Sequence, residues 1–233
     1  MFKRILHTAG FSGLLAALLL TLVQSLWVTP LILEAETFEQ APAAQEHSHA
    51  GEPVAAHSHE HDAEAWEPED GWQRLLSTTG GNLVVAVGFA LMLAGLYTLR
   101  APNSTAQGAF WGLAGFAVFV LAPTLGLPPE LPGTAAAELG QRQTWWISTA
   151  AATAAGLALM VFGQSLWLKL LGAAWLIAPH LFGAPQPAEH SSLAPEALEA
   201  QFIIASLVTN VVFWVALGTV SAWLFRRSHA RQS

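Results

Sequence analysis

The chain has 233 residues, of which 11% are charged and 53% are hydrophobic. Soluble domains carry about a quarter charged residues, so this composition excludes an ordinary soluble surface and indicates a protein embedded in lipid. The net charge of -7 excludes a nucleic-acid binder whose affinity comes from neutralising phosphates. The absence of Cys excludes disulfides, thiolate metal ligands and a Cys nucleophile.

Long stretches without charged residues predict membrane-spanning helices, because a bilayer core about 30 Å thick needs roughly 20 apolar residues of helix. The first stretch places one helix within residues 1–33, and a membrane bundle over 75–228 follows the segment 34–74. Helices are predicted in this bundle at about 75–99, 106–126, 143–162, 165–182 and 200–225, with a cytoplasmic tail at 229–233. The predicted fold class is all-α, a polytopic membrane bundle of six helices.

The distribution of charge supports six helices over the alternative count of five. Basic residues concentrate on the cytoplasmic side of membrane proteins. With six helices and a cytoplasmic N-terminus, seven basic residues lie inside, and only Arg74 and Arg142 lie outside. All sixteen acidic residues then lie outside. Five helices would place Arg226 and Arg227 outside, so we predict six helices with both termini cytoplasmic.

A weak repeat runs along the chain. Each odd-numbered helix carries a Pro towards its outer end, at Pro30, Pro123 and Pro179, and the even-numbered helices carry none. The segments before the second and fourth helices also end alike, in DGWQR (70–74) and ELGQR (138–142). Repeated hairpins would explain this pattern, since transporter folds often contain internal repeats. The alternative is coincidence, because membrane helices tolerate Pro.

Few strongly polar side chains lie inside the predicted spans. They are Gln24, Asn82, Gln164 and Asn210. Polar groups in lipid usually face neighbouring helices, either as interhelical hydrogen bonds or as the lining of a path. We favour hydrogen bonding between helices for each of them over pore lining.

The segment 34–74 is the largest one predicted outside the membrane, and it is rich in His and acidic residues. It contains two His-X-His units embedded among carboxylates. Imidazole and carboxylate are common ligands of first-row divalent metals, so metal capture is favoured over a merely solvated or pH-sensitive loop. The candidate ligands in this periplasmic metal-binding loop are His47, His49, His57, His59, His61 and Asp62.

The ion itself is only partly specified by these ligands. Without Cys and with only three Met, a path for Cu(I) through soft ligands is disfavoured. Co(II), Ni(II) and Zn(II) remain as the candidate ions, and we predict no permanently bound cofactor.

A second group of candidate ligands lies at the outer ends of the predicted helices. These are Glu34, Glu36, Glu130 and His180. If the helices form a bundle, these groups could meet in one vestibule, where His and carboxylates suit a transient divalent metal site. The alternative is that they mark helix ends in solvent.

Several stretches of the sequence resemble the CbtA family. They are WVTPLILEAE (27–36), the His-rich segment, DGWQR (70–74), LAPTLGLPPELPG (121–133), QRQTWW (141–146) and APHLFGAP (178–185). Members of this family are described as predicted bacterial cobalt transporter subunits. Their genes lie near cobalamin biosynthesis genes, beside that of a small single-span His-bearing partner, CbtB. The resemblance covers essentially the whole chain, although family descriptions usually count five helices.

The resemblance implies a multi-pass transporter subunit of the bacterial inner membrane that takes up Co(II) for cobalamin synthesis. Its expected partners are the lipid bilayer, the metal ion and a CbtB-like protein, with no nucleic acid. The alternative is a membrane-anchored metal sensor or metallochaperone that does not transport. An enzyme is disfavoured because no convergent set of acid, base and nucleophile stands out.

Overall fold

The computed structural model describes residues 2–46 and 68–230, and the side chains of 2–39 and 68–228. The described chain folds as six helices. Helix α1 covers residues 2–46 (Phe2–Val23, a π-helical turn Gln24–Val28 and Thr29–Glu46), α2 is Trp72–Leu99, α3 is Thr105–Thr124, α4 is Leu139–Phe162, α5 is Leu166–Phe182 and α6 is Glu196–Ala230. Five of them are long and apolar enough to span a bilayer, and α5 is a shorter apolar helix. The all-α helical fold predicted from the sequence is confirmed.

The helix ends separate onto two sides of the bundle. On one side the Arg4 guanidinium lies 3.9 Å from the centre of the Phe225 ring. Tyr97 packs against the same ring, at 5.5 Å between centroids, and Arg100 stacks on Phe162 at 4.4 Å. The start of α1 therefore lies beside the ends of α2, α4 and α6. We call this the basic side of the bundle, and the opposite one the acidic side.

This arrangement requires α5 to cross the bundle. Helix α4 ends on the basic side, and α6 must begin on the acidic side because Phe225, near its end, lies on the basic side. The 17 residues of α5 make the connection, with a length of about 25 Å. On the acidic side the loop after α5 meets the loop after α3, where the Ala135 amide donates to the Ser191 carbonyl at 2.9 Å. The described residues thus form five helices long enough to span a bilayer and a sixth, shorter helix that connects the two sides of the bundle.

Glycines bring α3 and α6 into backbone contact. A Cβ atom added at Gly112 would overlap the Trp214 carbonyl oxygen, and one added at Gly218 would overlap the Gly108 carbonyl oxygen. Close approach of this kind is how membrane helices gain van der Waals packing and association. It also allows Trp214 to be buried, with 1% of its surface exposed, where its ring stacks on Phe119 at 5.7 Å between centroids.

Two other helix pairs are also close at glycines. Helices α1 and α2 are close at Gly13, where a Cβ would lie 2.7 Å from the Val87 side chain. Helices α4 and α5 are close where Gly156 faces Gly172, because a Cβ on Gly156 would lie 2.8 Å from the Gly172 carbonyl oxygen. Small residues therefore set the positions of all three helix pairs.

Two helices contain a π-helical turn just before a Pro. In α1 the Thr29 amide donates to the Gln24 carbonyl, and Pro30 follows. In α3 the Ala122 amide donates to the Ala117 carbonyl, and Pro123 follows. A Pro ring clashes with the carbonyl four residues earlier in a regular α-helix. A local π turn changes which carbonyl the ring faces, so the helix can continue through the Pro.

The first helix is longer than the sequence predicts. The apolar stretch ends at residue 33, and the segment 34–74 is predicted as a loop, but α1 continues to Glu46. Packing explains why the helix continues past residue 33, since Ala35 is fully buried in a cluster that includes Leu131 and Leu198. The bounds of the other helices lie within a few residues of the predicted ones. Several ends are set by caps, such as Glu138, whose carboxylate accepts from the Gly140 amide at 2.8 Å.

The α3–α6 contact gives a first prediction. Replacing Gly112 by Ala places a methyl group on the backbone of α6, and overpacking of this kind costs about 1–3 kcal/mol. We expect Gly112→Ala to lower the free energy of unfolding by that amount, measured by thermal or denaturant unfolding in detergent. Gly88→Ala is the matched control, because a Cβ there meets nothing within 4 Å. Equal stability of the two variants would contradict the proposed contact.

Candidate functional site

A polar hydrogen-bonded group joins α1 to α2 within the predicted membrane span. The Asn82 amide nitrogen donates to the Gln24 side-chain oxygen at 2.6 Å and to the Thr21 hydroxyl at 3.0 Å. Gln24 is the first residue of the π-helical turn in α1. These are the interhelical hydrogen bonds that the sequence favours for Gln24 and Asn82, and they fix the two helices at this depth.

An ion-pair group joins the same two helices at the acidic side. The Arg74 guanidinium binds Glu36 through two bonds, Nη1 to Oε1 at 2.8 Å and Nη2 to Oε2 at 3.2 Å. Its Nε lies 2.9 Å from Asp70 Oδ1. Such a two-point contact with a carboxylate is stronger and more directional than a single bond. Arg74 thus ties the first turn of α2 to the extension of α1.

A cavity lies between these two polar groups. It has a volume of about 410 Å³ and opens between α1 and α2. Its lining comprises Gln24, Val28, Thr29, Ile32, Pro68, Arg74 and Thr78. The amide of Gln24 lies at its deeper end, and the Arg74 guanidinium lies towards the acidic side. We call this space the α1–α2 cavity.

A second ion pair repeats the first in the next hairpin. Arg142 Nη2 binds Glu130 Oε2 at 2.8 Å. The exposed fractions of the two side chains are 30% and 26%, the same as those of Arg74 and Glu36. In both hairpins a Glu that follows a π turn and a Pro binds an Arg in the first turn of the next helix. The third hairpin lacks this pattern, since α5 contains Pro179 without a π turn. The repeat therefore covers the first two hairpins.

Comparison with known proteins shows the family to which the chain belongs. A family model described as a probable cobalt transporter subunit (CbtA) matches residues 2–226, nearly the whole chain. The chain belongs to the CbtA family. The resemblance seen in the sequence is thereby confirmed, and together with the apolar helices it identifies a membrane transporter subunit. No curated protein and no solved structure matches the chain.

The structure describes only four of the ten metal ligands predicted from the sequence. The ligands of the His-rich segment, His47, His49, His57, His59, His61 and Asp62, lie outside the described residues. Glu36 and Glu130 are each bound by an Arg. Glu34 is exposed, and His180 packs edge-on against Trp145 at 6.0 Å between ring centroids. Within residues 2–39 and 68–228, no three His, Asp or Glu side chains come close enough to hold a metal ion together.

A larger cavity separates α4 from α5 towards the acidic side. Its volume is about 1130 Å³, and its lining includes Trp145, Trp175 and Phe182 with the hydroxyl-bearing Thr144 and Ser148. The exposed surface of this lining is mainly apolar, which suits lipid or an apolar helix better than a hydrated cation. The α1–α2 cavity has the more polar lining. This lining includes Pro68, which belongs to the His-rich segment 34–74.

Sequence reasoning missed the role of Arg74 and Arg142 in this site. The structure shows that both bind carboxylates that the sequence assigns to metal binding. The signal was present in the two similar segments 70–74 and 138–142, each with an acidic residue four positions before an Arg. Only the tertiary contact shows that Arg74 binds Glu36 on the preceding helix and that Arg142 binds Glu130 in the preceding loop.

The Glu130–Arg142 pair gives a second prediction. We expect Glu130→Gln, Arg142→Gln and the double variant to lose similar stability, about 1 kcal/mol each, because each breaks the same half-buried bond. The measurement is unfolding in detergent for all three variants. Glu189→Gln, in an exposed loop position, serves as the control. Additive losses in the double variant would show that the two side chains do not interact.

Proposed function

We propose that this CbtA family member takes up Co(II) across the bacterial inner membrane and supplies it to cobalamin synthesis. The observation that carries this proposal is the match of nearly the whole chain to a cobalt transporter subunit family. The six-helix bundle with a polar cavity between α1 and α2 supports it, since a transported ion needs a polar route into a lipid-embedded protein. In this proposal the acidic side faces the periplasm.

The His-rich segment is proposed to collect the ion. Its five His within fifteen residues raise the local concentration of imidazole, a ligand that suits Co(II), Ni(II) and Zn(II). The described flanks of the segment support a position at the α1–α2 cavity. They meet in the Glu36–Arg74 ion pair, and Pro68 lines the cavity itself. The carboxylates around the segment add a negative potential that concentrates cations.

Glu34, Glu36, Glu130 and His180 are proposed to pass the ion from the segment to the bundle. Glu36 and Glu130 are partly exposed, and each is held by a single-charged guanidinium. A divalent cation carries twice that charge and can compete for the same carboxylate. If Co(II) replaced the guanidinium at the Glu36 or Glu130 carboxylate, that carboxylate would bind the ion reversibly. Such a site would be transient rather than permanent.

A partner is part of the proposal. The family description names a subunit, and we propose a small single-span His-bearing protein of the CbtB type as the companion. Such a partner would add imidazole ligands near the membrane surface. Transport by the chain with and without this protein tests the requirement.

Metal uptake tests the proposed function directly. Cells that express the chain, with and without the small partner, are expected to accumulate more Co(II) than cells that lack it. Ni(II) and Zn(II) added as competitors give the metal preference. Equal accumulation of all three metals with and without the chain would contradict the permease, and metal binding by the purified chain would then favour a sensor or metallochaperone.

The collecting role of the His-rich segment gives a separate prediction. Deletion of residues 43–62 removes all five His, and we expect it to lower uptake at low Co(II) far more than at saturating Co(II). A full-length variant with each of these His replaced by Asn is the matched control for chain length and charge. It should reproduce the loss if imidazole is responsible. A deletion without effect at any Co(II) concentration would show that the segment does not collect the ion.

A further inference from the structure

We propose that the α1–α2 cavity is the acidic-side half of the cation path, through which a hydrated divalent cation enters the bundle. The inference rests on the proposed function and assigns its route to one helix interface. It is carried by the alignment of polar side chains at successive depths along α1 and α2, with a cavity between them. The family description does not say which helices form the path, and the ligands predicted for the vestibule do not place it between α1 and α2.

The polar side chains reach deep into the bundle. Glu36 pairs with Arg74 at the acidic side, and Gln24 pairs with Asn82 further in. Arg74 and Asn82 are eight positions apart on α2, a distance of about 12 Å at the helical rise. Thr29 of α1 lines the cavity between these two levels. A polar column of this depth would be costly against lipid, so it is typical of a functional path.

The size and chemistry of the cavity fit a hydrated cation. Its volume of about 410 Å³ exceeds the roughly 200 Å³ that six waters occupy at about 30 Å³ each. Gln24, Thr29 and Thr78 offer neutral oxygen atoms that can bond hydration waters. Sites built from neutral oxygens bind a cation weakly enough for it to leave again, which conduction requires. Among the described residues that line the cavity there is no carboxylate, so it suits passage rather than storage.

The charge at the mouth of the cavity favours cations. Arg74 alone would repel them, but it is bound by both Glu36 and Asp70. Two carboxylates around one guanidinium leave one negative charge at the mouth, and exposed Glu34 and Glu69 lie nearby in the chain. A guanidinium held in this way orders the carboxylates while the local potential remains negative.

The proposed path is closed between the cavity and the basic side of the bundle. Ala16 and Ala17 of α1 and Ala86 and Ala90 of α2 are almost fully buried. At Gly13 the two helices are so close that a Cβ would lie 2.8 Å from the Val87 Cα atom. The structure is therefore open towards the acidic side and closed towards the basic side. Passage requires α1 and α2 to separate at these small residues, which pack without interhelical hydrogen bonds.

Cysteine accessibility tests the path, because the chain has no native Cys. Thr29→Cys and Thr78→Cys place a thiol in the cavity. Leu26→Cys is the matched control for Thr29→Cys, and Leu76→Cys is the matched control for Thr78→Cys. The side chains of Leu26 and Leu76 both face outwards from the bundle. Leu26 lies slightly further from the acidic side than Thr29, and Leu76 lies slightly nearer to it than Thr78. Each full-length variant is treated in cells with membrane-impermeant methanethiosulfonates, one cationic and one anionic. A thiol in lipid stays protonated and unreactive.

We expect modification at positions 29 and 78 but not at 26 and 76, slowed by Co(II). The cationic reagent should react roughly tenfold faster than the anionic one, because of the net negative charge at the mouth. Modification should also abolish Co(II) uptake, since the adduct fills the cavity. Unreactive thiols at 29 and 78 in variants that still take up Co(II) would overturn the inference. So would modification that leaves uptake unchanged. No uptake by the parent chain would instead overturn the proposed function, and the inference with it.

Discussion

Membrane helices associate without help from the hydrophobic effect, because lipid is as apolar as the side chains that they would bury. The bundle therefore depends on close backbone contact at small residues. Gly108 and Gly112 of α3 meet Gly218 of α6, and this contact is what allows Trp214 to be buried. A methyl group at Gly112 would push the two helices apart and weaken the packing of Trp214 on Phe119.

The same constraint locates the cavity. Along the basic-side half of the α1–α2 interface, small residues such as Gly13 close the space between the helices. Along the acidic-side half, the small residues give way to Gln24, Thr29 and Asn82, which are too large and too polar for that packing. Hydrogen bonds then hold the helices, and a gap remains between them. The α1–α2 interface is thus closely packed in its basic-side half and open and polar in its acidic-side half.

The first two hairpins solve one structural problem twice. In α1 and in α3 a π turn precedes a Pro, and a Glu beyond the Pro binds an Arg at the start of the next helix. The ion pairs fix the extended ends of α1 and the loop after α3 against α2 and α4. Two carboxylates that the sequence assigns to metal binding, Glu36 and Glu130, therefore have a structural partner. The proposed metal binding at either of them would require exchange with Arg74 or Arg142.

The sequence by itself determined the helical fold and the separation of charge along the chain, because apolar length and the placement of basic residues follow directly from the bilayer. It also favoured interhelical hydrogen bonds for Gln24 and for Asn82, without showing that they bind each other. Only the tertiary structure decided which helices are neighbours, how far α1 extends, and that Glu36 binds Arg74. These depend on contacts between residues far apart in the chain, which hydropathy and charge patterns do not encode. The net charge of -7 comes from the excess of acidic residues, which the sequence assigns to one side of the bundle. The packing of α1 on α2 places the α1–α2 cavity on that side.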